Sequence, residues 1–334
     1  MTRYESMKGA IAHKETGYVP YAIPLTTEAY RAYGERLLRD YPNRQAQEDY
    51  KRGILTPEQA VSLSIGNHLL YIYAPWWGWY NVSEEYLHRE ETPDTLPDTV
   101  GYGDYEKFFN LIKHIREAYD VYPLMTVWGS HWEKVYGCRG IENFLCDMAA
   151  DPEWAQSMLV LIIRKNMVML ENVLPAGDFD GVLLGSDWGT QRALIMSPAM
   201  WRRMIKAGEQ QEYDLVHKYN KDVWIHSCGN IEALMGDLCE MGIQVLNPVQ
   251  PECMDIAMLK REYGDKICYF GGISTQNILP YGTPEDVKRE TERVIALMAK
   301  GGGYITAPSQ EIQVDVPYEN LRMLIDTARA AAVR

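Results

Sequence analysis

Eight short apolar runs punctuate the 334-residue chain, and most of them are followed by a stretch with helical spacing. They read VPYAIPL (19–25), HLLYIYA (68–74), YPLMTVW (122–128) and DGVLLGSD (180–187), then VWIHSC (223–228), IQVLNPVQ (243–250), KICYFGGI (266–273) and GYITAPSQ (303–310). Continuous apolar runs of this length are what parallel strands look like when both faces are buried. Between them lie amphipathic segments such as DPEWAQSMLVLIIRKNMVMLENVL and TPEDVKRETERVIALMAK. The second opens on Thr283, Pro284 and Glu285, an N-cap, a proline at the first helical position and an early acid. Strand–helix alternation repeated eight times predicts an α/β fold of the (β/α)8 TIM barrel type. No Ser/Pro/Gly-rich linker divides it, so residues 1–334 are expected to form a single domain. A doubly wound sheet is the alternative, but no GxGxxG follows the first run.

Chemistry in such a barrel gathers at the C-terminal ends of the strands. The second run leads into Trp76, Trp77, Trp79 and Tyr80, and the third ends at Trp128 ahead of His131, Trp132 and Glu133. The fourth ends at Asp187, with Gln191 just beyond; the fifth at His226 and Cys228; the sixth at Asn247 and Gln250. The seventh runs through Gly271 and Gly272 to Ser274, Thr275 and Gln276, and the eighth to Ser309, Gln310 and Glu311. Polar groups from seven strand ends therefore converge on one bowl. Asp187 and Gln191 either bind substrate or cap the following helix; Asn247 and Gln250 either face a ligand or satisfy backbone groups. The tryptophans either line a cavity or pack beneath a loop.

Composition narrows the partners. Hydrophobic residues make up 46% and charged residues 24%, as in an ordinary globular protein. With 46 acidic against 33 basic residues the net charge is −13, and no basic stripe appears, which argues against nucleic acid or an anionic membrane surface as partner. The six cysteines form no CxxC pair, the first fifteen residues contain no apolar signal region, and no run spans a bilayer. A reduced, soluble, cytoplasmic protein is expected.

The stretch VWIHSCGN carries the sharpest local chemistry. Side chains two apart on a strand share a face, so His226 and Cys228 lean out together. An imidazole beside a thiol suits zinc, yet a catalytic zinc takes three protein ligands and keeps a fourth position open. Alternatively, His226 bonds a substrate and Cys228 is an ordinary strand-end residue.

The phrases SDWGTQRALIMSPAMWRRMI, HSCGNI, LNPVQPECMD, GGISTQNILPYGTPEDV and APSQEIQVDVPYENL resemble the uroporphyrinogen decarboxylase superfamily. The likeness runs from about Gly140 to the C-terminus and independently implies a barrel. True decarboxylases of that superfamily carry an RQAGR phrase whose arginine grips substrate carboxylates. Here the corresponding region reads AIAHKETGYVPYAIPLTTEAYRAYG and lacks it. The cobamide-dependent methyltransferase branch uses His-x-Cys after the fifth strand, matched by His226 and Cys228, and a further cysteine after the eighth, where this chain has Gln310.

The resemblance implies zinc, a corrinoid carried by a partner protein, and a small methylated substrate. The lost sulfur leaves the third ligand open among Glu311, Glu133, Asp187 and Cys268, with Glu311 or Glu133 the favoured replacements. Zinc as Lewis acid on an ether oxygen would aid methyl transfer from an aromatic methyl ether; an acid such as Glu133 or Glu311 would protonate the leaving oxygen. Glu133, Asp187 and Glu311 are the candidate catalytic residues. Trp76, Trp77, Trp79, Trp128, Gln191, Asn247, Gln250 and Gln310 are the candidate substrate contacts. A decarboxylase of a porphyrinogen-like or smaller acid and a non-catalytic small-molecule-binding barrel are the alternatives.

Overall fold

The computed structural model describes residues 1–74, 105–127 and 129–332. Trp76, Trp77, Trp79, Tyr80 and Trp128 lie outside them. Seven parallel strands form one curled sheet in sequential order: β1 (Leu69–Tyr73), β2 (Tyr122–Val127), β3 (Gly181–Gly185), β4 (Asp222–His226), β5 (Val245–Val249), β6 (Cys268–Ile273) and β7 (Tyr304–Pro308). Helices such as Pro152–Val173 and Lys206–Lys218 run between strands, and Tyr318–Ala331 follows β7.

Strand parity sorts the core into two layers. Leu69, Leu124, Leu183, Trp224, Val245, Phe270 and Ile305 face a common interior, joined by Ala22 and floored by Met7, Ala10 and Ile11 of the helix Arg3–Ile11. Residues adjacent to these in sequence, including Leu70, Met125, Val182, Ile225, Leu246 and Tyr269, pack outward with the helices. Both faces of the inner strands are buried, as the continuous apolar runs required.

The first predicted run departs from expectation. Residues 19–25 form isolated bridges, Tyr21 with Thr306 and Leu25 with Ile312, rather than a regular strand. The segment is nonetheless bonded on both sides. Ala22 N–H donates to Thr306 O at 3.0 Å, and His68 N–H to Tyr21 O at 2.9 Å. Pro20 and Pro24 explain the irregularity, because neither has an N–H to give to a ladder. At Ile23 the side chain of Asn67 stands in for a neighbouring strand: its Oδ1 accepts Ile23 N–H at 2.9 Å.

Candidate active site

The interior parity set by Trp224 and Val245 carries upward to His226 and Asn247 at the strand ends. There His226 Nδ1 lies 3.0 Å from Asn247 Oδ1. An amide oxygen only accepts, so Nδ1 holds the proton and Nε2 presents a lone pair. That nitrogen faces Cys228 Sγ at 3.5 Å and Asp187 Oδ1 at 3.7 Å. Burial lowers the His226 pKa, against the opposing pull of Asp187, so the ring is held neutral. Cys228 is pushed up to about 12, by burial first and then by the carboxylates of Asp187 and Glu133.

Asp187, His226 and Cys228 each bring one donor atom within 4.8 Å of the other two. A neutral imidazole, a thiol and a carboxylate form a donor set that zinc accepts, with room for a fourth ligand. A divalent ion bound there would lower the Cys228 pKa that burial and the two carboxylates raise. The three residues therefore fit the group that the sequence implied. Of the four candidates for the third ligand, Asp187 is the one in this cluster. Cys268 begins β6, at the opposite end of the strand from the mouth, and is buried among Tyr122 and Trp224.

Gln310 sits where a second sulfur was expected. Its Oε1 accepts Glu311 N–H at 2.9 Å, which turns its Nε2 toward Cys228 Sγ at 3.1 Å. The carboxamide thus donates a hydrogen bond to the sulfur, a role suited to a thiolate. Cys228 N–H in turn donates to Asp187 Oδ1 at 2.8 Å. The close approach of the two loops depends on glycine: a Cβ at Gly189 would stand 2.5 Å from Cys228 O, and Gly229 has φ of +82°.

The other candidates divide. Glu133 Oε1 accepts Asp187 N–H at 3.4 Å, and its pKa is raised by burial and by Asp187. Gln250 Oε1 accepts Gly229 N–H at 2.6 Å, satisfying the backbone of the Cys228 turn. Gln191 is exposed and accepts from Gln276 at 3.4 Å and from the Cys253 thiol at 3.3 Å. Trp132 is fully buried, with its indole N–H on Asp187 O at 3.0 Å, and so supports the loop from behind. His131 is buried away from the mouth against Glu209, 3.3 Å from Nδ1 to Oε1.

Sequence reasoning missed Tyr71 and Tyr73. With His226, Asn247, Gln310 and Glu311 they line a pocket of about 350 Å³ including its open mouth. Their spacing of two in LLYIY was the available signal.

Residues 74–331 match the family described as Uroporphyrinogen decarboxylase (URO-D). Methylcobamide:CoM methyltransferase MtaA of Methanosarcina barkeri is 29% identical over 131 residues, 39% of this chain and 36% of that protein. A uroporphyrinogen decarboxylase of Psychromonas ingrahamii is 30% identical over 73 residues, 22% of this chain and 20% of that one. The matched stretches thus span from a fifth to little more than a third of these curated relatives. A solved methyltransferase from Methanosarcina mazei superposes with a TM-score of 0.71 at 16% identity, covering 99% of both chains, which is a likeness of fold. No helix among the described residues is long and apolar enough to cross a membrane. By the extent of the family match, the chain belongs to the uroporphyrinogen decarboxylase family.

Proposed function

We propose that this chain moves a methyl group between a small methylated substrate, an aromatic methyl ether, and a corrinoid protein, at a zinc centre held by Asp187, His226 and Cys228. The observation that carries the reading is the meeting of those three donor atoms within 4.8 Å at the strand-end mouth. The similarity to a methylcobamide:CoM methyltransferase supports the reaction class. The bonds joining residues 19–25 to β7 and to His68 support a barrel closed by eight segments, built as one domain from residues 1–334.

Zinc bound there would supply Lewis acidity toward the ether oxygen, whose departure as a phenoxide is otherwise the hard part of the transfer. The protein's own groups do the remainder. Asn247 fixes the His226 tautomer, and Gln310 donates to Cys228 Sγ, so both ligands hold one orientation. Glu133, whose pKa is raised by burial and then by Asp187, is the proposed proton donor to the leaving oxygen. Trp76, Trp77, Trp79 and Trp128, which follow β1 and β2 in sequence, are the proposed substrate contacts outside the described residues. The corrinoid protein must approach this same mouth, since the methyl group passes directly to it.

Elemental analysis of protein purified without a metal-binding tag, paired with transfer assays using a reduced corrinoid protein, tests the proposal. About one zinc per chain is expected, lost together with activity in His226→Ala, Cys228→Ser and Asp187→Ala. Zinc far below that level, or transfer that survives chelation and all three substitutions, would overturn it.

A further inference from the structure

A second cavity opens beside the His226 pocket, toward the helices that precede β1, and the chemistry above leaves it unused. It measures about 1100 Å³ including its open mouth. It shares Pro24, Tyr71, Tyr73 and Glu311 with the smaller pocket, so the two cavities adjoin across those four residues. Tyr30 and Glu58 form its far wall, joined by the Tyr30 hydroxyl donating to Glu58 O at 3.2 Å.

The walls have one electrical sign. Glu58 and Glu311 are the carboxylates, and the described residues lining the two cavities include no Lys or Arg. Burial raises the phenol pKa values of Tyr30 and Tyr71, with Glu311 adding to both, so these rings stay neutral and present π-faces and hydroxyls. Burial also raises the Glu311 pKa, and the acid nearest to it in effect, Glu28, adds to the rise. A desolvated carboxylate among tyrosines disfavours a second anion and favours a cation. The cation gains both the carboxylate and the aromatic faces.

We infer that the methyl-bearing substrate carries a cationic amine tail, which lies in the larger cavity against Glu311, Glu58 and the rings of Tyr30, Tyr71 and Tyr73. The inference rests on the reading of the His226 pocket as the methyl-transfer site, and it names the substrate class for that site. The described walls disfavour ethers bearing a carboxylate or sulfonate tail.

Three isosteric probes separate the possibilities: 4-methoxybenzylamine, 4-methoxybenzyl alcohol and 4-methoxybenzoate, titrated into the protein by calorimetry and then offered as methyl donors. The amine should bind at least about tenfold more tightly than the benzoate, the scale expected of a carboxylate and cation–π contact. In Glu311→Gln that gap should shrink while the alcohol's affinity holds. Equal or tighter binding of the benzoate, a gap unchanged in Glu311→Gln, or binding by none of the three would overturn the inference. The wild-type comparison stands without the variant. Selective amine binding without methyl transfer from any probe would sustain the recognition and overturn the methyl-transfer reading instead.

Discussion

At the scale of single residues, the site depends on which atom of each side chain is already engaged. His226 and Cys228 were legible from the sequence because a strand has a period of two. Asp187 and Gln310 were reached only as strand-end candidates, because they arrive from loops 41 and 82 positions from Cys228, and spacing alone did not choose Asp187 among the four possible third ligands. The role of Gln310 was hidden for a further reason: it turns on the Glu311 N–H capturing Oε1, a contact no spacing reports. Asn247 is the cleanest test of this level. Its Oδ1 holds the proton on His226 Nδ1, so Asn247→Leu leaves the ring able to adopt the wrong tautomer. Zinc affinity should fall about 10- to 100-fold, with folding retained. Competition with a chromophoric chelator measures it, and unchanged affinity would show that Asn247 does not orient the ligand.

At the scale of elements, helix starts and buried strands were read with most success. The pattern Thr-Pro-Glu at 283–285 marked an N-cap, and the helix Pro284–Met298 begins there. Thr283 accepts from Asp286 N–H, and the Asp286 side chain returns the bond to the Thr283 backbone, closing a capping box. Thr283→Ala should cost about 1 kcal/mol of stability. Urea unfolding with an unchanged slope would show it as a shift in midpoint alone. The first apolar run was misread because apolar content was weighed and donors were not: two prolines in seven residues break the ladder that the run otherwise suits. Tyr71 and Tyr73 were overlooked for the opposite reason. They sat inside a run read as core, although their alternation places them on the inner face just below the mouth.

At the scale of the whole molecule, a buried polar network ties the outer helices to the ends of β2 and β3, and nothing in the sequence announced it. Glu209 and Glu212 of the helix Lys206–Lys218 are fully buried. Ser130 Oγ donates to Glu209 Oε1 at 2.7 Å, with Ser186 Oγ at 3.3 Å from the same oxygen, while Tyr213 donates to Oε2 at 2.9 Å. Asn166 donates to Glu212 at 2.6 Å. Ser130 Oγ also lies 3.3 Å from Glu212 Oε2 and 3.1 Å from His131 Nδ1. Burial and then repulsion from Glu212 raise the Glu209 pKa to about 8. Above the ordinary carboxyl value of 4.5 the folded chain therefore holds a proton that the unfolded chain has released. Stability from this group is complete below that value and is lost as pH rises toward 8. His131 acts oppositely, since burial lowers it from 6.5 to about 3 and its contribution is complete once pH exceeds 6.5. Between pH 6.5 and 8 His131 no longer adds to the slope while Glu209 still does, and wild-type stability should decline there. Glu209→Gln keeps the shape and the acceptor oxygen but cannot ionise, so its stability should stay flatter across that window and exceed wild type at the alkaline end. Equilibrium unfolding at a series of pH values decides it, and parallel profiles for the two proteins would mean that Glu209 is ionised throughout, with its donors Ser130, Ser186 and Tyr213 holding the charge.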